Sequence, residues 1–444
     1  MPKAHLIIIG NGMAAGRLLD EILKRNPDQY RITVFGAEGY ANYNRIMLST
    51  VLAGEMQADD IVTHSEQWYQ DHHIALHSND PVSTIDTAKQ TLRCQSGTAF
   101  SYDKLVLATG SNPIMPNIRG NDLDGVLTFR SLADIDQLMA KVPHIQHATV
   151  IGGGLLGLEA AWGLRQQGLE VTVIHRGQWL LNRQLDATAG EYLKQSLESR
   201  GIHFQLNAEI DKFASEPSAE IQGDSASSSA ISQIILKDGV VINTGLAVIA
   251  IGISPNHALA ERSGLACDRG ILINDQLQSS VTNVYALGEC SQFGQHTFGL
   301  VAPIWDQARV LADQLCLTSD QRFSLQPCAT KLKVSGIDLF SAGEYLDSPA
   351  SESVVYQDPA NGVYRKLIFR QQKLAGAVLF GAVNEGNWYF ELIQAQQKAQ
   401  HLAPDMIFGR RYCNAESIAQ LTPAAVPHFD TAAPALSLAT GATS

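Results

Sequence analysis

Residues 6–19 contain the feature that most constrains how this chain folds. A run of Leu and Ile breaks at Gly10-Asn-Gly12, and a helical pattern of leucines follows. Gly10 suits a tight turn, Gly12 lets the backbone approach a pyrophosphate, and the small Ala15 lets the helix pack closely on the strand. A helix N-terminus also favours an anion, because its first N–H groups have no partner. The segment therefore predicts a strand, a turn and a helix that bind a dinucleotide.

The residues after this motif support the same interpretation. A second strand is predicted over residues 31–35, and Glu38 follows it. Glu38 lies about 20 residues beyond the motif, where a carboxylate can bind a ribose hydroxyl. A solvated turn residue is the alternative interpretation of Glu38.

The same arrangement occurs a second time. A predicted strand leads into Gly152-Gly-Gly154-Leu-Leu-Gly157, and a helical pattern follows. The next predicted strand ends at His175 and Arg176, again about 20 residues on. Two such motifs in one chain are far more specific than one. They imply two bound nucleotides, and a flavin with a nicotinamide is the economical pair.

Arg45 lies in a segment close to the first motif, within Tyr43-Asn-Arg45-Ile-Met-Leu-Ser49. An arginine so placed can reach a phosphate or a flavin ring. An ordinary surface cation is the alternative, and spacing alone does not decide between the two.

Charge and hydropathy exclude two classes of partner. The formal net charge is -12, whereas nucleic-acid binding needs clustered Lys and Arg. No apolar run approaches the roughly 18 residues of a membrane span. The N-terminal apolar run is predicted to form the first strand, and no small-residue cleavage site follows it, so we do not expect a signal peptide. We therefore expect a cytoplasmic protein without a nucleic-acid or membrane partner.

The cysteines give no sign of a metal site. Zinc and iron–sulfur sites usually show closely spaced cysteines, and this sequence has no Cys-x-x-Cys or Cys-x4-Cys. Scattered thiols of a reducing compartment are most often small core residues. We expect that role for all six cysteines: Cys94, Cys267, Cys290, Cys316, Cys328 and Cys413.

These patterns predict an α/β fold with two Rossmann-like dinucleotide-binding domains and a small C-terminal α+β domain. A buried strand closes at Thr109-Gly110, and Pro113 and Pro116 mark a crossover into the second motif's domain. Residues 214–230, rich in Ser, Ala and Gly, are predicted to form a hairpin loop. The predicted boundaries give a discontinuous FAD-binding domain (1–115 and 245–320), an NAD(P)H-binding domain (116–244), the α+β domain (321–410) and a disordered tail (411–444).

Three segments carry a resemblance to a known family: residues 43–49, residues 152–161, and Tyr285-Ala-Leu-Gly288-Glu289-Cys290 with residues 299–303. The chain resembles the two-dinucleotide-fold flavoprotein reductases related to glutathione reductase. Within that group it is similar to the flavin half of assimilatory nitrite reductase large subunits and to the electron-transfer subunit of bacterial assimilatory nitrate reductase. The resemblance covers residues 1 to roughly 410.

The resemblance implies a set of site residues. The ADP half of FAD would be held by Gly10, Gly12, Ala15 and Glu38. The rest of FAD would be held by Arg45, Thr109, Gly110, Gly288 and Glu289. NADH, with NADPH as the alternative, would be held by Gly152, Gly154, Gly157, His175 and Arg176. Glu159 would lie near the nicotinamide ring, and Glu159 and Arg45 are the expected catalytic residues.

The resemblance also implies a function: electrons pass from NADH through FAD to a partner protein, the catalytic subunit of assimilatory nitrate reductase. Alternatives are a rubredoxin- or ferredoxin-type reductase and a non-catalytic nucleotide-sensing flavoprotein. A thiol or peroxide reductase needs a cysteine beside the flavin, and residues 38–65 contain none.

The sequence departs from the relatives in three places. Thr50 stands where relatives that reduce ferredoxin-like proteins often have Lys, and His175 stands at the position that is usually acidic for NADH. The cysteine-rich iron–sulfur and siroheme segments of nitrite reductase are absent from this sequence. We therefore expect no nitrite reduction by this chain.

Overall fold

The computed structural model describes residues 3–215, 230–326, 329–334, 336–414 and 421. The described residues fall into two compact units. Among the described residues, the first unit holds 3–183, 190–215, 230–326, 334 and 336, and the second holds 184–189, 329–333, 337–414 and 421. Residues 184–189 thus belong to the second unit, although the predicted boundaries place them in the NAD(P)H-binding domain.

The first unit contains two parallel five-stranded sheets in which four strands, beginning with the one before the glycine motif, follow the same order. The edge strand differs, because it comes last in the chain in the first sheet and before the glycine motif in the second. The first runs Val284–Ala286, Lys104–Leu107, Ala4–Ile9, Tyr30–Phe35 and Ala75–His77. The second runs Val126–Thr128, Leu246–Ile249, His147–Ile151, Glu170–His175 and Ile202–Leu206. The strand before each glycine motif is central in its sheet. This duplication confirms the predicted fold class.

Burial explains why the sequences of these strands are unbroken apolar runs. Leu6, Ile7 and Ile8 are all fully buried, because a central parallel strand is covered on both faces. The helix after each motif, Met13–Arg25 or Leu155–Gln166, packs an apolar face inward. The remaining α-helices of this unit are Leu48–Leu52, Glu66–Asp71, Leu132–Lys141, Ala258–Arg262 and Val301–Cys316, and Ala187–Glu198 begins in the second unit and continues into the first.

Smaller sheets and short 3-10 helices complete the first unit. The small sheets comprise Asn42–Tyr43 with Val62–His64; Val82–Asp86, Thr91–Cys94 and Ala99–Ser101; Ser111–Pro113 with Ile253–Pro255; Ile210–Ala214, Gln233–Leu236 and Val241–Asn243; and Ile271–Ile273, Ser291–Phe293 and His296–Thr297. The 3-10 helices are Arg45–Met47, Ala58–Ile61, Val142–His144 and Gly288–Cys290. Ile210–Ala214 and Gln233–Leu236 pair antiparallel, and residues 216–229 of the predicted hairpin loop lie outside the described residues.

The second unit is built on one sheet. Ile337–Gly343, Lys373–Phe380, Val363–Arg370 and Glu352–Asp358 pair antiparallel in that order, and Ala329–Val334 is placed beside the first of them. Its α-helices are Gly386–Ala395 and Ala403–Met406, and its 3-10 helices are Pro359–Asn361, Gln400–Leu402 and Arg410–Tyr412. This is the predicted α+β composition. Of the predicted tail, residues 415–420 and 422–444 lie outside the described residues.

Candidate functional site

In each parallel sheet, the central strand ends in a turn that only glycine can make. Gly10 has φ of +113° and Gly152 has φ of +124°. A Cβ atom at these positions would lie 2.1 Å from the Ala108 carbonyl oxygen and 2.2 Å from that of Ala250. Both the left-handed conformation and the contact therefore exclude a side chain.

The helix that follows each turn presents a free N-terminus. Gly12 and Gly154 are the N-cap residues of helices of 13 and 12 residues, and neither helix has a side-chain cap. A Cβ at Gly154 would meet nothing within 4 Å, and one at Gly12 would approach only the Arg45 Nε, at 4.0 Å. Open space in front of uncapped N–H groups fits the pyrophosphate of a dinucleotide. We call each of these helix N-termini, together with the glycine turn before it, a cradle. One cradle lies at Gly12 and the other at Gly154.

The third position of each motif serves packing. A Cβ at Gly157 would lie 1.9 Å from the Gly152 carbonyl oxygen, so only glycine fits there. Ala15, at the equivalent position of the first motif, is fully buried. Both residues let a helix start close against its turn, as the sequence pattern predicts.

The structure brings Glu38 and Arg45 together. The Arg45 guanidinium donates to the Glu38 carboxylate, and the Tyr43 hydroxyl donates to the other Glu38 oxygen at 2.7 Å. Arg45 also donates to the carbonyl oxygen of Arg130 at 2.9 Å and lies over the Tyr43 ring. Burial, helped by the Glu38 carboxylate, raises the pKa of Tyr43, which therefore stays a hydrogen-bond donor. Neither Glu38 nor Arg45 is an isolated surface residue.

Arg130 is a site residue that the sequence reasoning missed. Its guanidinium donates to the Glu289 carboxylate and, at 2.9 Å, to the Ser111 hydroxyl, which in turn donates to Glu289 at 2.8 Å. The Arg130 Nε is buried without a partner among the described residues. One feature of the sequence could have indicated this residue: Arg130 directly precedes the Ser131–Asp134 capping box, at the crossover between the two sheets.

Thr109, Gly110 and Gly288 lie at the strand ends of the first sheet. The Thr109 hydroxyl donates to the Asn256 carbonyl at 2.6 Å, and the Asn256 N–H donates to the Gly110 carbonyl at 2.9 Å. The Gly288 N–H donates to the buried Gln307 side chain at 2.7 Å. A Cβ at Gly288 would lie 2.9 Å from that of Ala14, so this backbone lies against the first glycine motif.

Glu159 is half-buried on the helix after the second motif. Its carboxylate forms no hydrogen bond or ion pair with any residue that the structure describes. Burial alone raises its pKa to about 7, so the group changes charge near neutral pH. A partly buried carboxyl group whose pKa lies near neutral pH is a candidate functional group.

His175 is part of the second glycine loop rather than a free surface group. Its Nδ1 accepts a hydrogen bond of 3.2 Å from the Gly153 N–H. Burial lowers the pKa of His175, and the charge of Arg176 acts in the same direction. The ring is therefore neutral at neutral pH, while Arg176 is exposed to solvent.

The thiols of the described cysteines are not activated. Burial raises the pKa of Cys94 and of Cys267 to about 11, and it also raises the pKa of the fully buried Cys290. A reactive thiol needs a lowered pKa. Cys328 lies outside the described residues. Within the described ranges, no group of three or more His, Cys, Asp or Glu side chains could hold a metal ion, and no helix has the length and apolarity to span a membrane.

Comparison with known proteins agrees with this geometry. The family model of pyridine nucleotide-disulphide oxidoreductases matches residues 4–310, and that of the rubredoxin NAD+ reductase C-terminal domain matches residues 328–397. The chain is 41% identical over 396 residues to a nitrite reductase [NAD(P)H] of Bacillus subtilis, covering 89% of this chain and 48% of the relative. It is 40% identical over 381 residues to the assimilatory nitrate reductase electron transfer subunit of that organism, covering 86% of this chain and 48% of the relative.

The chain thus spans about half the length of these curated relatives. Among solved structures, a ferredoxin reductase from Rhodopseudomonas palustris matches with a TM-score of 0.80 at 24% identity, covering 91% of this chain and 98% of that one. This likeness shows the shared fold. The match over residues 4–310 covers most of the chain, and the two cradles agree with it. The chain therefore belongs to the pyridine nucleotide-disulphide oxidoreductase family.

Proposed function

We propose that this chain takes electrons from NADH and delivers them to the catalytic subunit of an assimilatory nitrate reductase. The observation that carries the proposal is the 40% identity to a nitrate reductase electron transfer subunit over 86% of this chain. FAD, when bound, supplies the chemistry that connects the two, because a flavin accepts two electrons and can release them singly. The unactivated thiols favour electron transfer to a partner over disulphide chemistry.

The two cradles divide the cofactors between the sheets. We infer that the N–H groups at Gly12 hold the FAD pyrophosphate and that those at Gly154 hold the nicotinamide dinucleotide. The predicted division into FAD-binding and NAD(P)H-binding domains follows from this assignment. Thr109, Gly110, Gly288 and Glu289, at the strand ends of the first sheet, would then enclose the remainder of FAD.

Glu38 and Arg45 act as a pair in this proposal. With one Glu38 oxygen on Arg45 and the other on Tyr43, the carboxylate is held in a fixed position beside the Gly12 cradle. The fixed carboxylate can accept from a ribose hydroxyl through its remaining lone pairs. Arg45 in turn offers its remaining N–H groups to the phosphates.

Glu159 is proposed to orient the nicotinamide. The carboxyl lies one turn into the helix that starts at the Gly154 cradle, and it is only partly solvated. In its neutral form it can donate a hydrogen bond, and in its ionised form it can only accept. Its protonation state therefore sets how a nicotinamide amide is held.

We propose NADH as the preferred donor, with some tolerance of NADPH. Gly157, which completes the second glycine motif, and the resemblance of the motifs favour NADH. The tolerance of NADPH is expected because His175 offers no carboxylate to repel a 2′-phosphate and Arg176 is exposed beside it. Comparison of kcat/KM for the two nucleotides tests this preference. A tenfold higher kcat/KM for NADPH, about 1.4 kcal/mol, would reverse the assignment.

A small iron protein is the second candidate acceptor. The observation in its favour is the match of residues 328–397 to the C-terminal domain of rubredoxin NAD+ reductase. Both candidates need the same electron delivery, so only a comparison of acceptors separates them.

Reconstitution tests the proposal. The full chain, loaded with FAD, is mixed with NADH and either the nitrate reductase catalytic subunit plus nitrate or oxidised rubredoxin. We expect nitrite to form at a rate that saturates with the catalytic subunit, and only slow reduction of rubredoxin. Rapid rubredoxin reduction without nitrite would make the second candidate correct. A Gly152→Ala chain serves as the control, because its new Cβ would collide with the Ala250 carbonyl oxygen and should prevent NADH binding.

A further inference from the structure

A buried amide side chain, that of Asn42, supports the first glycine loop. The Asn42 Nδ2 donates to the Gly12 carbonyl at 2.8 Å and to the Asn11 carbonyl at 3.1 Å. Asn42 is only 1% exposed, and a Cβ at Gly16 would lie 2.9 Å from its Nδ2. Both carbonyl oxygens are therefore held on the Asn42 side of the loop, which leaves the N–H groups to face the cradle.

The orientation of this amide is fixed by its partners. An amide oxygen placed against two carbonyl oxygens would be repelled, so the nitrogen must be the atom that faces the loop. The Asn42 Oδ1 then faces the Thr63 hydroxyl, which donates to it, and the His64 Nδ1 at 3.3 Å. Because the Asn42 oxygen can only accept, the His64 Nδ1 must carry a proton.

The other nitrogen of His64 contacts a carboxylate. The His64 Nε2 lies 2.9 Å from the Asp20 Oδ1. The imidazole ring thus joins the Asn42 amide to the Asp20 carboxylate. The rings of Trp68, 4.1 Å away, and Tyr69, 6.4 Å away, are the aromatic groups that face the imidazole.

We propose that Asn42 is a positioning residue for FAD at the first glycine loop and that the contacts of His64 with Asn42 and Asp20 fix the Asn42 amide. FAD is then held less tightly when Asn42 or its support at His64 is removed. The inference rests on the proposed placement of FAD at the Gly12 cradle.

The second glycine loop provides an internal reference. It is supported by the bond from the Gly153 N–H to His175, and no contact joins it to Asn42 or His64 in the described part of the chain. Loss of the Asn42 support should therefore weaken FAD binding and leave nicotinamide binding unchanged.

The test measures the FAD dissociation constant of the full chain by flavin fluorescence and the KM for NADH of the FAD-saturated chain. Asn42→Ala removes the Nδ2 donor from the Asn11 and Gly12 carbonyls, of which the Gly12 carbonyl keeps the Gly16 N–H, and should weaken FAD binding about tenfold. His64→Gln cannot contact Asn42 and Asp20 through a ring and should weaken FAD binding by a smaller factor. Asp20→Asn, a partly exposed position, should have a still smaller effect. The KM for NADH should stay unchanged in all three variants.

His72→Gln is the matched control. His72 also contacts the Trp68 ring, at 4.4 Å, but it is exposed and makes no contact with Asn42. Its FAD affinity should equal that of the wild type. An Asn42→Ala chain with unchanged FAD affinity, or one whose KM for NADH rises as much as its FAD dissociation constant, would overturn the inference. A wild-type chain that binds no FAD would instead overturn the proposed placement of FAD.

Discussion

The Arg130 guanidinium is paired with the Glu289 carboxylate, and both side chains are largely withdrawn from solvent, at 19% and 16% exposure. Arg130 follows the edge strand of the second parallel sheet, whereas Glu289 follows the edge strand of the first. Their ion pair, joined by the Ser111 hydroxyl, thus connects the two dinucleotide-binding sheets within one unit.

Arg130→Gln should lower the free energy of unfolding by about 1–3 kcal/mol, because Glu289 loses its charged partner while remaining largely buried. The double variant Arg130→Gln/Glu289→Gln should recover part of that loss. Urea denaturation measures both. Lys89→Gln, at the exposed Lys89–Asp86 pair, is the control and should show no measurable change. A double variant no more stable than Arg130→Gln alone would argue against coupling of the two charges.

Gly152→Ala should abolish use of the nicotinamide nucleotide while leaving FAD bound. The new Cβ would stand 2.2 Å from the Ala250 carbonyl oxygen, so the loop has to move. Gly10→Ala should have the opposite effect and lose FAD, because its Cβ meets Ala108 in the same way. Flavin content and NADH affinity are the two measurements. The control is Gly39→Ala, an exposed site with nothing within 4 Å, and equal losses in all three variants would refute the assignment.

Glu159 should make stability fall as pH rises from about 4.5 to about 7. Burial raises the pKa of this carboxyl from 4.5 to about 7, so the folded chain holds a proton that the unfolded chain has released. The stabilisation is complete below about pH 4.5 and is lost as the pH passes 7. Glu159→Gln stays neutral and should remove this slope, which urea denaturation at several pH values can detect. Identical slopes for the variant and the wild type would contradict the raised pKa.

The same group should influence catalysis. If Glu159 orients the nicotinamide, kcat/KM for NADH should change with a midpoint near pH 7 in the wild type. Glu159→Gln should eliminate that midpoint and leave flavin content unchanged. A retained midpoint in the variant would show that another group causes it.

Alkylation of the accessible thiols should leave NADH-dependent ferricyanide reduction largely intact. Burial raises the pKa of Cys267 to about 11, and it raises the pKa of the half-buried Cys316, so neither supplies a reactive thiolate at neutral pH. Steady-state assays before and after alkylation, with circular dichroism to verify folding, make the measurement. Total loss of activity in a folded chain would mean that a cysteine takes part.

The parts of the fold that depend on neighbouring residues were predictable from the sequence. A glycine turn such as Gly152, its flanking strand and its helix form one local pattern, so the motif predicts all three. The paired sheets follow because the pattern occurs twice. Glu38 and Arg45 were placed near one nucleotide for the same reason, although their ion pair depends on the shape of the loop between them.

Contacts between distant segments were not predictable. Arg130 and Glu289 are 159 residues apart, and nothing local to either residue signals the other. Asn42 and His64 also meet only because a short strand pair brings them together. Residues 184–189 provide a third case, since the Asp186 carboxylate accepts from Tyr364 and the buried Lys366 in the second unit.

The most direct test of the account is an anaerobic titration of the purified full chain with NADH, after its thiols have been alkylated. The chain should be yellow, with one FAD and no iron, and its flavin absorbance should bleach with one equivalent of NADH. Addition of the oxidised acceptor protein should then restore the yellow colour. A flavin that NADH does not bleach, or a bleached flavin that no acceptor protein reoxidises, would contradict the claim that this chain carries electrons from NADH through FAD to a partner.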